Sequence, residues 1–270
     1  MTRLPAQSDP PLSPRQTLPT MYDLPSEDPE EPGLPDEFHL WQSQLLQLTF
    51  KPRNWNPDEV FSACDLNLYY DVTHSQWYKR PDWFGVVGVE RLYEGRDLRL
   101  SYVIWQEGVS PVVVVELLSP GTEDEDLGRT ISQRGKLPTK WQVYEQILRV
   151  PYYIVFSRYT DELLIFRLLA GVYEPTQLTE GRFFMPQLGL HLGLWQGNYE
   201  SIERLWLRWF TAEGELILTP SEEATTTQAR LNLAEQEAAE ARQEAAKARQ
   251  RAERLAAKLR ELNIDPDELD

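Results

Sequence analysis

The sequence has very little of the chemistry that disulfides and zinc sites require. It contains one cysteine, Cys64, and three histidines among 270 residues. An internal disulfide is therefore excluded, and no zinc site of the Cys/His kind can be assembled. No run approaches the roughly 20 apolar residues that span a membrane, and the N-terminus lacks the basic-then-apolar pattern of a signal peptide. We therefore expect a cytoplasmic protein with no membrane partner.

Positive charge is also scarce. The chain carries 27 lysines and arginines against 43 acidic residues, for a net charge of −16. Proteins that bind nucleic acid usually present a basic stripe to the phosphates, and this composition provides none. The residues up to Glu37 carry −6 and those after Leu262 carry −4, so that −6 remains elsewhere. Contact with DNA would therefore depend on a local patch, for which the candidates are Lys79, Arg80, Arg129, Arg134, Lys136 and Lys140.

Composition divides the chain into four segments. Residues 1–35 are rich in proline and acid, and such a segment cannot bury enough apolar surface to fold alone. Residues 36–220 hold the strand and helix patterns and are predicted to form one domain. Residues 221–263 are predicted to form a long helix, and residues 264–270 are a short acidic tail.

The long helix carries a heptad seam. Apolar residues alternate at spacings of three and four, as in a coiled coil, and the seam is formed by Leu231, Ala234, Ala238, Ala241, Ala245, Ala248, Ala252, Leu255, Leu259 and Leu262. Alanine dominates, so little area is buried per residue. The pattern favours a helix for homo-oligomerisation or partner binding; the alternative is a lone charged helix in solvent.

Two apolar runs each carry one carboxylate. Gly85–Val89 and Val112–Val115 are predicted to be buried strands; Asp82 precedes the first, and Glu116 closes the second. A buried carboxylate must be paired, neutralised or bound to a metal. Mg²⁺ prefers oxygen ligands and usually takes one or two carboxylates. The alternative is that Asp82 belongs to a turn and Glu116 to an exposed strand end.

A lysine follows on a predicted helix. The stretch 140–148 places Trp141, Tyr144, Ile147 and Leu148 on one face, and Tyr152–Ser157 is predicted to be a strand. The region from Val112 to Phe156 is then a candidate βαβ crossover, which places Lys140 beside the sheet. There it could orient a water or stabilise charge on a phosphate. A lysine on an amphipathic helix is otherwise an ordinary solvated residue.

The remaining elements are predicted from the same periodicities. We expect a helix over residues 36–48, a strand over residues 64–72, and a hairpin formed by residues 163–169 and 171–175. Residues 183–195 alternate, and we expect them to close the sheet. The acidic run 123–126 is predicted to be a solvated loop or a helix start.

Four further residues are candidate accessory groups. Glu37 and His39 lie in the first turn of the first helix, and Asp71 ends a predicted strand. Each has a simpler alternative, as a solvent-facing, capping or turn residue. Ser119 follows Glu116 and could bind phosphate or hold Glu116 in place; a plain turn role is equally consistent with the sequence.

Several of these motifs together resemble a known family. The segments PDW, VVVVELLSPGTE, the KxxxY of Lys140 and Tyr144, and VPYYIVFS are similar to those of the Uma-two family of restriction endonuclease-like proteins. The resemblance covers roughly residues 36–220. It implies an α/β (α+β) fold of the PD-(D/E)xK nuclease type, with a mixed central sheet flanked by helices.

The resemblance also implies roles for particular residues. Asp82 and Glu116 would be the ligands of Mg²⁺ or Mn²⁺. The usual lysine position, two residues after the glutamate, holds Leu118 here. In this family the lysine lies on the helix, which makes Lys140 the catalytic candidate, with Lys136 as the alternative and Tyr144 as an accessory residue.

Two functions are consistent with the sequence. The first is a metal-dependent endonuclease, a hydrolase of DNA phosphodiester bonds that uses Asp82, Glu116 and Lys140. The second is a nuclease-like scaffold without catalysis, which acts in assembly or regulation through its C-terminal coiled coil.

Overall fold

The chain forms two units, which are described separately: one runs up to Ile217, and the other begins at Leu218. The structure, a computed structural model, describes residues 10–20, 23, 37–118, 123–130 and 137–261.

The first unit contains twelve strands and five short or medium helices among its described residues. The strands are β1 Val60–Cys64, β2 Leu68–Tyr69, β3 Tyr78–Lys79, β4 Trp83–Val87, β5 Tyr102–Val103, β6 Val113–Leu117, β7 Tyr152–Ser157, β8 Glu162–Leu169, β9 Val172–Pro175, β10 Arg182–Met185, β11 Leu190–Tyr199 and β12 Ile202–Thr211. The helices are α1 Pro14–Thr17, α2 Glu37–Thr49, α3 Ile104–Glu107, α4 Glu123–Asp126 and α5 Lys140–Gln142; the last continues as a π-helical turn over Val143–Ile147, and 3₁₀ turns cover Pro57–Glu59 and Val72–His74.

A six-stranded mixed sheet lies at the centre, in the order β1-β4-β6-β7-β8-β9. β6 and β7 are parallel, and the other neighbouring pairs are antiparallel. A parallel pair needs a long crossover, and the chain between β6 and β7 supplies it with α4 and α5. Every residue of β4, β6 and β7 is buried, which confirms the prediction of buried strands. The predicted hairpin is confirmed as β8 and β9.

Helices cover both faces of this sheet. On one face, α2 buries Phe38, Leu45 and Leu46 against a core that includes Val113 and Val115. On the other face, the α5 region buries Tyr144 among residues that include Val114 and Tyr153. Alternate residues of one buried strand therefore point to opposite cores. The helix predicted over residues 36–48 is confirmed as α2, and residue 36 lies outside the described residues.

Residues 183–195 do not close the central sheet, so that prediction was wrong. They belong to a separate antiparallel sheet, in the order β10-β11-β12. The ten-residue strands β11 and β12 pair with each other through a tight turn in which Glu200 and Ser201 both have positive φ. Such a turn matches the twist of the strands and makes local pairing the favoured outcome. Gln42 links α2 to this second sheet. Its side-chain amide donates to the Leu207 carbonyl and accepts from the Leu207 N–H, each at 2.9 Å.

The strand predicted over residues 64–72 is also interrupted. β1 ends at Cys64, and Asp65 adopts a φ of 51°, which turns the chain out of the central sheet. The backbone N–H of Asp65 donates to the carbonyls of Pro81 and Asp82. Only Leu68–Tyr69 is then extended, in a small sheet with β3 and β5.

The second unit consists of one long helix, α6, over Pro220–Glu261. Thr219 and Glu222 form its capping box: the Glu222 carboxylate accepts from the Thr219 N–H at 2.7 Å, and the Thr219 hydroxyl accepts from the Glu222 N–H at 3.3 Å. No residue of α6 is buried. The predicted C-terminal end at residue 263 lies outside the described residues. None of the described helices is both long and apolar enough to cross a membrane.

Candidate active site

The two predicted carboxylates lie side by side on neighbouring strands. β4 and β6 are antiparallel with Trp83 opposite Val115, and Asp82 and Glu116 are the next residues along the two chains. The charge of Asp82 contributes to the raised pKa of Glu116, so the two carboxylates are neighbours. Side chains of directly opposed residues point to the same face of a sheet. Asp82 is fixed at the end of β4, because its Oδ2 accepts a hydrogen bond of 2.6 Å from the backbone N–H of Leu117. Glu116 is completely buried.

Lys140 reaches this pair from the crossover. Its Nζ donates to Glu116 Oε2 at 3.0 Å and lies 2.9 Å from Asp126 Oδ1. The helix start is defined by a capping box in which Thr139 and Gln142 bond each other reciprocally. The structure therefore brings Asp82, Glu116 and Lys140 together.

Asp126 is a member of the cluster that the sequence did not predict. The acidic run was predicted to be a solvated loop or a helix start; it forms the helix α4, but Asp126 is only 1% exposed. Its backbone carbonyl accepts from the Tyr153 hydroxyl at 2.8 Å, which ties α4 to β7. Its Oδ1 lies 2.9 Å from Lys140 Nζ, so the carboxylate and the ammonium form a buried ion pair.

The neighbouring Glu125 is also engaged rather than solvated. Its Oε1 accepts from Lys79 Nζ at 2.9 Å and from the backbone N–H of Lys140 at 3.0 Å. Glu125 therefore helps to hold the N-terminal end of α5 in position. Glu123 remains exposed, as predicted.

Tyr144 orients Glu116 from the same helix that carries Lys140. Its hydroxyl donates to Glu116 Oε1 at 2.8 Å, so each carboxylate oxygen of Glu116 has a separate donor. Lys140 and Tyr144 are four residues apart, a spacing that places side chains on one helix face. Burial holds the pKa of Tyr144 well above its ordinary value, and the hydroxyl therefore remains a donor.

The electrostatics of the cluster follow from its burial. The pKa of Glu116 is raised to about 8, mainly by burial and also by the charges of Asp126 and Asp82, against the opposing effect of Lys140. Burial also raises the pKa of Asp82. For Lys140, burial alone would lower the pKa, but Glu116, Asp126 and Asp82 together raise it, so the ammonium stays charged. Three carboxylates face one cation, and a full set of ionised carboxylates would leave excess negative charge.

The predicted accessory residues have varied positions. His39 is buried on α2, and its Nε2 lies 3.0 Å from the Leu117 carbonyl, so it contacts the strand beside Glu116. Glu37 is exposed and accepts from the Trp41 indole at 3.2 Å. Asp71 caps a 3₁₀ turn through bonds to Thr73 and His74, which is the turn role. Two further candidates, Ser119 and Lys136, lie outside the described residues.

The donor set is compatible with a divalent metal. Asp82, Glu116 and Asp126 carry carboxylate oxygens of the kind that Mg²⁺ and Mn²⁺ favour, although Asp126 Oδ1 already lies 2.9 Å from Lys140 Nζ. Within the described part of the chain, no three His, Cys, Asp or Glu side chains are grouped closely enough to hold one ion. Mg²⁺ usually takes only one or two carboxylates and completes its shell with water and phosphate. Two carboxylates, Asp82 and Glu116, are therefore sufficient for such an ion in number and in chemical type.

The predicted basic patch is largely neutralised within the protein. Lys79 is buried against Glu125, and Arg80 donates to Asn67 Oδ1 at 2.8 Å. Arg129 is exposed, whereas Arg134 lies outside the described residues. Three other basic residues, Lys51, Arg53 and Arg91, line a cavity of about 870 Å³. The remaining lining residues are Gln47, Phe50, Pro52, Trp55, Pro57, Val60 and Ser62.

The mixed sheet with neighbouring carboxylates and a lysine on the crossover defines an α+β protein of the restriction-endonuclease-like class. A family model described as "Uma2: Putative restriction endonuclease" matches residues 15–202. The match covers more than half of the chain, so the protein belongs to the Uma2 family. The matched range includes every member of the carboxylate–lysine cluster and ends before α6. No match to a curated protein was found.

Proposed function

We propose that the protein is a metal-dependent endonuclease that hydrolyses phosphodiester bonds of DNA. The observation that carries the proposal is the neighbouring pair Asp82 and Glu116, with Lys140 Nζ 3.0 Å from Glu116 Oε2. Burial of three carboxylates around one lysine destabilises the folded state, so a purely structural role does not account for it. Strongly perturbed pKa values in such a cluster are typical of functional sites. Membership of the Uma2 family supports the same reaction class.

Each residue has a distinct role in this proposal. Asp82 and Glu116 would hold Mg²⁺ or Mn²⁺, and the bound cation would polarise the phosphate and lower the pKa of an attacking water. Lys140 orients that water and stabilises negative charge on the phosphate. Asp126 keeps the Lys140 side chain at the cluster, and Tyr144 fixes the orientation of Glu116 by its hydrogen bond of 2.8 Å.

The acidity of the chain constrains how DNA would be bound. A net charge of −16 opposes approach of a phosphate backbone, and Lys79 and Arg80 are already engaged with neighbouring side chains. Among the described residues of the predicted patch, only Arg129 is exposed, so few cations of that patch are left to contact DNA phosphates. We therefore expect weak DNA binding that is detectable mainly at low ionic strength.

Calorimetric titration with Mn²⁺ tests the metal site without a guess about the substrate. Wild type should bind Mn²⁺ with micromolar affinity, and Glu116→Gln should not, because the amide removes an anionic ligand while retaining the size of the side chain. Glu123→Gln, at an exposed position, is the matched control and should bind like wild type. Nicking of supercoiled plasmid in Mn²⁺, lost in Lys140→Met, then tests the reaction. Absence of Mn²⁺ binding by wild type would refute the proposal.

A specific observation favours the alternative of a catalytically silent scaffold. Lys140 already contacts both Glu116 and Asp126, so the cluster can be read as an internal ion network that positions α5 on the sheet. In that case Lys140→Met would reduce stability, Mn²⁺ would not bind, and the activity of the protein would lie in what α6 assembles.

A further inference from the structure

The helix α6 presents a face that no described part of its own unit covers. It runs for 42 residues without a buried side chain. The leucines near its two ends are exposed, Leu231 by 54% and Leu255 by 55%. In heptad terms the a positions are Ala224, Leu231, Ala238, Ala245, Ala252 and Leu259, and the d positions after Thr227 are Ala234, Ala241, Ala248 and Leu255. A continuous seam of this kind is the side of a helix that faces another helix.

The charges that flank the seam identify the partner. In a parallel two-stranded coil, each g position faces the e position five residues later on the other helix. Two copies of α6 in register would therefore pair Arg230 with Glu235, Glu237 with Arg242, and Glu244 with Arg249. All three pairs are oppositely charged, and symmetry repeats each of them. The next pair joins Arg251 to Ala256, so no like charges meet.

Other arrangements of two copies bring like charges together. A shift of one heptad in one direction places Arg230 against Arg242, and a shift in the other direction places Glu237 against Glu235. In antiparallel pairs g faces g and e faces e. In the antiparallel alignment that brings the most opposite charges together at the g positions, Arg242 lies against Arg249 at the e positions. Like-charge contacts of this kind are destabilising and select orientation and register.

We propose that α6 pairs with α6 of a second copy of this chain as a parallel, in-register, two-stranded coiled coil. The alanine layers allow the two backbones to approach closely but bury little area, so the flanking charges contribute a large share of the specificity. Both helices begin at Pro220, and the two first units would therefore be joined to the same end of the coil. In an antiparallel pair they would be joined to opposite ends, about 60 Å apart at 1.5 Å per residue.

Charge reversal in the full-length chain tests the partner and the register. Sedimentation velocity should give a dimer for wild type. Glu237→Arg with Glu244→Arg should raise the dissociation constant at least about tenfold, because these substitutions turn attractive g–e pairs into repulsive ones. The matched control, Glu240→Arg with Glu261→Arg, makes the same change of charge outside the seam and should remain dimeric. Circular dichroism verifies that every variant keeps its helix.

A complementary variant distinguishes pairing with a second copy of this chain from pairing with a different protein. Arg242→Glu with Arg249→Glu should dissociate alone, for the same reason. Mixed with Glu237→Arg/Glu244→Arg, it should form a heterodimer in which all the altered pairs are attractive. A monomeric wild type, or a mixture that stays monomeric, would overturn the proposal.

Disulfide trapping tests the orientation. In a Cys64→Ser background, Ala234→Cys and Ala252→Cys should each oxidise to a homodimer, because identical a or d positions meet in a parallel, in-register coil. Gln243→Cys, on the outer face, is the control and should not. In the antiparallel alignment described above, Ala252 lies opposite Ala241 of the other helix, so a disulfide that forms only when Ala252→Cys chains are mixed with Ala241→Cys chains would establish the antiparallel arrangement and refute the parallel one.

Discussion

The raised pKa of Glu116 predicts how stability depends on pH. Burial moves this pKa from 4.5 to about 8. Between these values the folded protein holds a proton that the unfolded chain has released, so stability falls as the pH rises from about 4.5 to about 8. One pKa unit corresponds to about 1.4 kcal/mol, which gives a total loss of roughly 3 to 5 kcal/mol across the window.

The measurement is urea unfolding at four pH values from about 5 to about 8, in the presence of a chelator. Wild type should lose up to about 1.4 kcal/mol of unfolding free energy per pH unit, and Glu116→Gln should lose much less, because its amide does not titrate. The exposed Glu123→Gln should keep the wild-type slope. Groups common to both proteins cancel in the comparison. Equal slopes for wild type and Glu116→Gln would refute the assignment of the buried proton to Glu116.

Three further predictions concern the same cluster. Lys140→Met should lower the unfolding free energy by about 3 to 5 kcal/mol above pH 8, where Glu116 is ionised in folded wild type, because it leaves Glu116 and Asp126 buried without their cation; urea unfolding at about pH 9 measures this, and a loss below about 1 kcal/mol would contradict it. Tyr144→Phe should cost about 1 to 2 kcal/mol and raise the pKa of Glu116 further, since the hydroxyl favours its ionised form; the stability of this variant should therefore keep falling above pH 8, where that of wild type levels off, and a loss that ends at the same pH as in wild type would count against this. Mn²⁺ affinity should increase with pH up to about 8, since binding must displace the proton of Glu116. Calorimetry in buffers of different ionisation enthalpy should detect the released proton. A pH-independent affinity would exclude Glu116 as a ligand.

Much of the central sheet could be predicted from local patterns. The valine run before Glu116 can only be accommodated by a strand buried on both faces, and the crossover from Val112 to Phe156 follows from the order strand, helix, strand. These features depend on neighbours in sequence. The second sheet could not be assigned in the same way, because alternation in residues 183–195 indicates a strand without indicating its partner.

The same distinction applies to the candidate site, in which some residues could be predicted from local sequence and others could not. Asp82, Glu116 and Lys140 each had a sequence signal, and the structure places them in one cluster. Asp126 had none, because it lies in a run of four acids whose burial depends on contacts with Lys140 and Tyr153. The basic residues near the PD pair were misleading for the converse reason. Lysines and arginines are normally solvated, yet Lys79 is buried and paired with Glu125, 46 residues away.

The sequence by itself therefore determined the buried strands of the central sheet, the first and last helices, the apolar surroundings of Asp82 and Glu116, and the heptad seam of the last helix. Hydrophobic periodicity indicates which face of a helix or strand is buried, and it depends only on residues that are close together in the sequence. Only the tertiary structure decided which acids and bases meet, because the partners of Glu116 and Lys140 come from separate elements whose approach depends on packing across the whole sheet. The pKa of Glu116, which governs the predictions above, is a property of that packing.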